Sequence, residues 1–175
     1  MSSPATTTLN GVDLAAVGEF AQKLAADPDA DKSTWSARTS WTGAFTSSSY
    51  AREHGPIPSD EPELLAGGNT APNPVEYVLA ALGSCLAVGY AASAAARGIE
   101  LRSLEIELTG TIDLRVFLGL AEGHAGYERI ESTARVESDA DDASLEQLHE
   151  HVVRTSPVGN TIEHPVELDA RLVRA

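Results

Sequence analysis

The sequence predicts an α+β fold in which a mainly antiparallel sheet packs on one long central helix. Two features carry that prediction. Residues 75–97 form a continuous Ala-, Leu- and Gly-rich run, broken by Glu76, Ser84, Ser93 and Arg97, and a helix apolar on nearly all sides is a buried one. Around it lie segments in which apolar and polar residues alternate with the period of a half-buried strand. With 175 residues, 42% of them hydrophobic, the chain has the size and composition of a single packed domain, 1–175. Residues 1–33 read as a helical N-terminal extension and residues 34–175 as the core.

Taken in order, residues 1–10 are small and polar and read as a frayed end. Leu14, Val17, Phe20, Ala21 and Leu24 recur at helical spacing, which predicts a helix over 12–26 that ends at Pro28 and its neighbouring aspartates. Trp35, Ala37, Thr39 and Trp41 alternate, predicting a strand over 34–46. Residues 47–72, rich in Ser, Gly, Pro and acids, read as a long irregular connection. Asn73 and Pro74 open the long helix as cap and first-turn residue, and Gly98 closes it. Two strands follow over 103–116 and 127–138, joined by a loop with Gly119, Gly123 and Gly126. Asp139–Asp142 supply starting charge for a helix over 143–154, which Pro157 and Gly159 break. Val166, Leu168, Ala170 and Leu172 alternate, predicting a last strand over 165–173.

Charge and cysteine content exclude several functions. The formal net charge is -14 and the isoelectric point about 4.6, so the basic footprint of a nucleic-acid binder is missing. The first residues, MSSPATTTLN, lack the charged and apolar regions of a secretion signal, so the expectation is a cytoplasmic protein with its thiol in a reducing compartment. The long helix could span a membrane by length, but Ala, Gly and Ser stand where a span carries Leu, Ile and Phe, so a membrane is not expected. One cysteine excludes an internal disulfide, a cysteine zinc cluster and a two-cysteine redox cycle within one chain.

That cysteine, Cys85, lies mid-helix in Ala80-Ala81-Leu82-Gly83-Ser84-Cys85-Leu86. A free cysteine is a small apolar side chain suited to a core, or, beside a positive group, a nucleophile. Three turns from the helix start, the macrodipole gives it little help, so activation has to come from elsewhere in the fold.

Residues Asn73 to Cys85, NPVEYVLAALGSC, resemble the signature of the OsmC/Ohr family, the osmotically inducible and organic hydroperoxide resistance proteins. So do Ser156-Pro157-Val158-Gly159-Asn160-Thr161, Arg97-Gly98-Ile99-Glu100 and the stretch Asp113 to Leu120. The resemblance covers roughly residues 70–175. It implies an intertwined homodimer with the long helices at its centre and active sites at the subunit interface. In peroxidase members a thiolate on that helix attacks an organic hydroperoxide, an Arg and a Glu activate it, and a second Cys resolves it as a disulfide. Cys85 matches the attacking residue. Ser156 stands at the resolving position, where a hydroxyl forms no disulfide. The helix-start Glu of the family falls at Val75, with Glu76 one residue on, and Arg52 is the nearest candidate for the Arg.

The resemblance therefore implies either of two roles, with no cofactor and no metal. One is reduction of hydroperoxides through Cys85 with an external thiol restoring it. The other is a non-peroxidase OsmC-like protein that has lost the two-cysteine cycle and either binds a small apolar ligand or does other thiol chemistry at the interface pocket, or is left as a structural or stress-associated dimer. Glu76 either charges the helix start or orients an Arg. Arg52 and His54 are either solvated or cover the thiol of a second copy. His149-Glu150-His151 diverge on a helix and make a poor metal site. Ser156 with His151 or His164 lacks the Gly-x-Ser-x-Gly elbow of a hydrolase.

Overall fold

The computed structural model describes residues 8–27 and 32–174. Residues 1–7 of the expected frayed end, and Pro28, lie outside the described residues. The fold is α+β, built of small antiparallel sheets and one long helix. The chain divides into two compact units, one of Asp13–Ala80 with Leu108–Glu131, the other of Thr8–Val12, Ala81–Glu107 and Ser132 onward.

The first unit starts with a capped helix. Asp13 Oδ1 accepts from the Ala16 amide at 3.0 Å and starts α1 (Leu14–Ala26), where the periodicity predicts it. None of the side chains of α1 is buried, and Val17 and Phe20 stand exposed. Next come β3 (Arg38–Gly43), β4 (Thr46–Ala51) and β5 (His54–Ser59), an antiparallel sheet in that order; the labels β1 and β2 belong to the hairpin of Thr8–Leu9 and Val12–Asp13. The strand expected over 34–46 is thus shorter, and the irregular connection expected over 47–72 holds two strands. Pro56 and Pro58 hide β5 from a sequence reading, because proline cannot donate to a ladder. An edge strand tolerates that loss, and β5 is an edge: Ser48 faces Pro58 and Ser49 faces Ile57, with nothing paired beyond among the described residues. The serines of β4 are weak strand formers that pair because β3 and β5 lie on either side.

Beyond β5 the chain is irregular but tightly built. Asp60, only 2% exposed, accepts from the Glu61 amide at 2.8 Å, the Thr70 amide at 3.1 Å and the Thr70 hydroxyl at 2.8 Å. The turn from Glu61 to Asn69 is closed by the Asn69 amide on the Glu61 carbonyl at 3.0 Å. Gly67 is required there, since a Cβ on it would lie 1.9 Å from that carbonyl oxygen.

α2 (Pro74–Ala96) opens at the predicted cap: Asn73 Oδ1 accepts from the Glu76 amide at 2.9 Å, and Glu76 Oε2 accepts from the Asn73 amide at 2.8 Å. It ends at Gly98, φ 71°, with the Ile99 amide returning to the Ala94 carbonyl. In the second unit its buried stripe is Leu82, Leu86, Tyr90 and Ala94, one residue per turn. Facing residues come from α4 (Asp142–Thr155), whose Leu148 and Val152 are fully buried. A Cβ at Gly89 would approach Val152 Cγ1 to 3.0 Å, so the small residue is what lets α4 lie this close. The helix is apolar all round but buried on one stripe; Val88 on another face is 68% exposed. By length and hydropathy α2 could cross a membrane, a test that core helices also pass.

The remaining elements frame this core. β6 (Ser103–Thr111) pairs with β7 (Arg129–Glu137), the Arg102 amide donating to Glu137 and the Glu128 amide to Thr111 at opposite ends of the antiparallel pair. The strand expected over 103–116 stops early because Asp113 caps α3 (Leu114–Phe117), accepting from the Arg115 amide at 2.8 Å. After α4 the chain kinks at Ser156, as expected, and resumes as α5 (Pro157–Glu163), a helix the sequence reading does not contain. The strand expected over 165–173 does not form. Its alternation is real, but a strand needs a ladder, none is offered among the described residues, and Leu168 and Leu172 are exposed. Asn10, in the β1–β2 turn, donates to the Ile99 carbonyl and accepts from the Leu101 amide, both at 2.9 Å, where a frayed end was expected.

The donors around Asp60, the Thr70 hydroxyl foremost and then its amide, hold its carboxyl below the ordinary aspartate value of 3.8. A lowered folded-state pKa gives stability that is present above the unfolded value and lost as pH falls through the folded one. The urea midpoint should therefore drop on acidification from about pH 5 to about pH 2. In Asp60→Asn that drop should be smaller, and an identical acid limb in the two proteins would contradict the assignment.

Candidate functional site

The thiol sits where three helices of the second unit converge. Cys85 is half-buried on α2, one turn before Gly89 and between the core residues Leu82 and Leu86. Ser156, 4% exposed, closes α4 by donating its amide to Val153 and starts α5 by accepting the Gly159 amide on its Oγ at 3.0 Å. Pro157 follows at the first helical position, whose amide needs no partner. The same hydroxyl donates its proton to Cys85 Sγ at 3.3 Å. An amide that donates to a hydroxyl oxygen polarises the O–H, and a donor aimed at sulfur lowers the energy of an anion there.

Beside this pair is a cavity of about 530 Å³, walled by Ala81, Ser84, Cys85, Val88, Val152 and Ser156. Among the described residues none of its lining side chains is charged. The sulfur therefore faces an uncharged, mostly apolar space whose wall also holds Ser84 and Thr155, with the Ser156 hydroxyl donating to it. Such a space suits a small ligand with an apolar body.

The other expected site residues lie in the first unit. Glu76 closes the α2 capping box, so its Oε2 is taken up by the Asn73 amide. Arg52 occupies the β4–β5 turn, exposed and with φ 54°. His54 is exposed beside Glu53 at 3.6 Å. The structure thus brings Cys85 and Ser156 together and places Glu76 and Arg52 in the other compact unit.

The histidines of the second unit have other partners. His149 Nδ1 makes a very short hydrogen bond with the Tyr90 hydroxyl, and the two rings stack with centroids 6.1 Å apart. His151 Nδ1 lies 3.5 Å from Arg154, and His164 Nδ1 lies 3.1 Å from the Asn160 carbonyl. The Ser156 hydroxyl bonds to Cys85 and Gly159. The Tyr90–His149 pair escaped the sequence reading because its members are 59 positions apart. The only available signal was Tyr90 on the helix stripe that also holds Leu82 and Leu86.

Comparison with known proteins gives this geometry a family. The family model described as OsmC-like protein matches residues 67–171, more than half of the chain. The chain belongs to the OsmC-like family. No curated protein matches the sequence significantly. Among solved structures, an OsmC-like protein of Mycoplasma pneumoniae superposes with a TM-score of 0.65 at 18% identity, covering 76% of this chain and 89% of that one. An organic hydroperoxide resistance protein OsmC of Legionella pneumophila gives 0.54 at 16% identity, over 74% and 89%. An organic hydroperoxide resistance protein of Elizabethkingia anophelis gives 0.55 at 15%, over 75% and 89%. At these identities the likeness is one of fold, and this OsmC-like chain carries its thiol beside a serine.

Ser156→Ala should do two separable things. Loss of the α5 cap should cost about 1 kcal/mol, read by urea denaturation. Loss of the donor should slow alkylation of Cys85 by iodoacetamide at fixed pH, and Ser156→Thr, which keeps a hydroxyl, should restore the rate. Equal alkylation rates in the Ala and Thr variants would show that the hydroxyl has no effect on the sulfur.

Proposed function

We propose that this OsmC-like protein protects against peroxides by reducing organic hydroperoxides at Cys85, with an external thiol as reductant. The observation that carries the reading is the Ser156 hydroxyl donating to Cys85 Sγ at the wall of an apolar cavity. The named neighbours support it, since two of the proteins that share this fold are described as organic hydroperoxide resistance proteins.

The chemistry runs in three steps. The Cys85 thiolate attacks the outer oxygen of the hydroperoxide; an S–O bond forms, the O–O bond breaks, and the alkoxide takes a proton to leave as an alcohol. An external thiolate then attacks the sulfenic acid sulfur, expelling water and forming a mixed disulfide. A second external thiolate attacks the outer sulfur of that bond, releasing an external disulfide and the Cys85 thiolate. Ser156 cannot replace the external thiol, because a hydroxyl has no sulfur to bridge. Its part is to hold its proton toward the anion on Cys85 Sγ in the first and last steps.

The reading takes the protein as a cytoplasmic homodimer. Its support is the uncovered face of α2, with Val78 and Val88 exposed, and the strand-patterned segment 165–173, which makes no ladder among the described residues. A second copy covers both. In that assembly Arg52 supplies the positive charge a thiolate needs, and Glu76 orients it with the oxygen left over from the capping box. A second reading, an apolar-ligand binding protein with Cys85 as mere wall, draws on the uncharged cavity lining.

Turnover of cumene hydroperoxide with a monothiol, measured beside Cys85→Ser, decides between the two readings. The wild-type protein should consume peroxide and the variant should lose at least a hundredfold, while equal rates would leave only the binding reading. Ser156→Cys supplies a further check. One equivalent of hydroperoxide should then produce an intramolecular disulfide, seen as the loss of both free thiols, and turnover should come to prefer a dithiol reductant.

A further inference from the structure

The first unit contains a cavity of about 380 Å³ that shares no lining residue with the thiol cavity. Its walls are Val75 from the first turn of α2, Ile112, and Leu114 and Phe117 from α3, with the Tyr127 ring and the Glu61 side chain completing it. Glu61 is the one charged lining side chain among the described residues.

The hydrogen bonds around this cavity leave it rich in acceptors. The Tyr127 hydroxyl donates to the Val75 carbonyl at 2.8 Å. Asn73, also in the lining and 8% exposed, donates its backbone amide to Glu76 and its side-chain amide to Glu61 Oε2 at 3.3 Å. The Tyr127 and Asn73 donors thus already have acceptors, the Thr111 hydroxyl also lines the space, and the Glu61 carboxylate has three or so further lone-pair sites to offer. The acid is held in place as well. It follows buried Asp60, its carbonyl closes the turn to Asn69, and Gly67 packs against its backbone. The negative field extends past Glu61: Tyr127 titrates above its ordinary value through burial and through the charge on Glu76.

A ligand that fits brings an apolar body for the hydrocarbon walls and a positive donor for the carboxylate. We propose that this cavity binds a small amphipathic amine, its ammonium on Glu61 and its apolar body against Val75, Ile112, Leu114 and Phe117. A neutral alcohol of the same shape makes the apolar contacts but forfeits the charge-assisted hydrogen bond. A carboxylate of the same shape meets like charge. Because the two cavities share no lining residue, the proposal stands whether or not Cys85 turns over peroxide.

Isothermal titration calorimetry on the full chain tests it, with phenethylamine, phenethyl alcohol and hydrocinnamate as the probes. The amine should bind at least tenfold more tightly than the alcohol, and hydrocinnamate most weakly. In Glu61→Gln, which keeps an oxygen for Asn73, the amine and alcohol affinities should converge at an unchanged melting temperature. Phe117→Ser, at a position 54% exposed, should weaken amine and alcohol alike. Cys85→Ser should leave every affinity unchanged. Equal binding of amine and alcohol, no binding of the amine, or a preference that survives in Glu61→Gln would each overturn the proposal. So would ethylamine binding as tightly as phenethylamine, which is what counter-ion attraction to an acidic chain alone predicts.

Discussion

The Ser156 hydroxyl accepts from the Gly159 amide and donates to the Cys85 sulfur, and through these contacts α4, α5 and α2 meet around one oxygen atom. The rest of the thiol site depends on it. Helix termini leave amide donors without partners, and a serine at the junction of two helices satisfies one of them. Because the oxygen is fixed by that capping role, its proton is aimed as well. A hydroxyl on a free rotor would have to lose conformational freedom to reach sulfur, whereas this one has already lost it in forming α5. The serine is thus a structural residue whose geometry is also a chemical one. That explains how a site can keep its shape with an oxygen where the family resemblance implies a second sulfur.

Close approach makes the junction possible. Val152 is 1% exposed and sits over Gly89, at a distance that any larger residue on α2 would increase. Pushing α4 away would carry Ser156, four residues further on, away from Cys85. Gly89, on the side of α2 facing Val152, is therefore a positioning device for the sulfur. Leu148, fully buried, supplies the apolar area that holds the helices together once the small residues allow contact.

Features coded locally were legible in the sequence. Asn73-Pro74 marks the start of α2 and Gly98 its end because capping chemistry is confined to a few neighbouring residues. The kink at Ser156-Pro157 is legible for the same reason. Features that depend on distant pairing were not. β4 carries three serines and β5 two prolines, and only their pairing shows them to be strands. The segment 165–173 errs in the opposite direction: its alternation is that of a strand, but the alternation names a face and not a partner. In the site, Cys85 could be singled out by its motif, and Ser156 by its place in a second one. Their contact spans 71 positions and no local pattern encodes it. Glu61 had no signal at all, since its role depends on the turn closed at Asn69 and on Asn73.

Charge separates the two cavities. Among the described residues the thiol cavity has no charged lining side chain, so an anion formed on sulfur there relies on a hydroxyl and on whatever cation an assembly supplies. A carboxylate in that space would oppose the anion and weaken the nucleophile. The cavity in the first unit has the opposite character, with Glu61 held rigid by its loop and Glu76 acting on Tyr127. A thiolate there would be costly. In a chain of net charge -14, keeping acids out of the sulfur's surroundings is itself a constraint on the sequence. The run Val78 to Arg97 meets it, since across that whole stretch α2 carries no acidic residue.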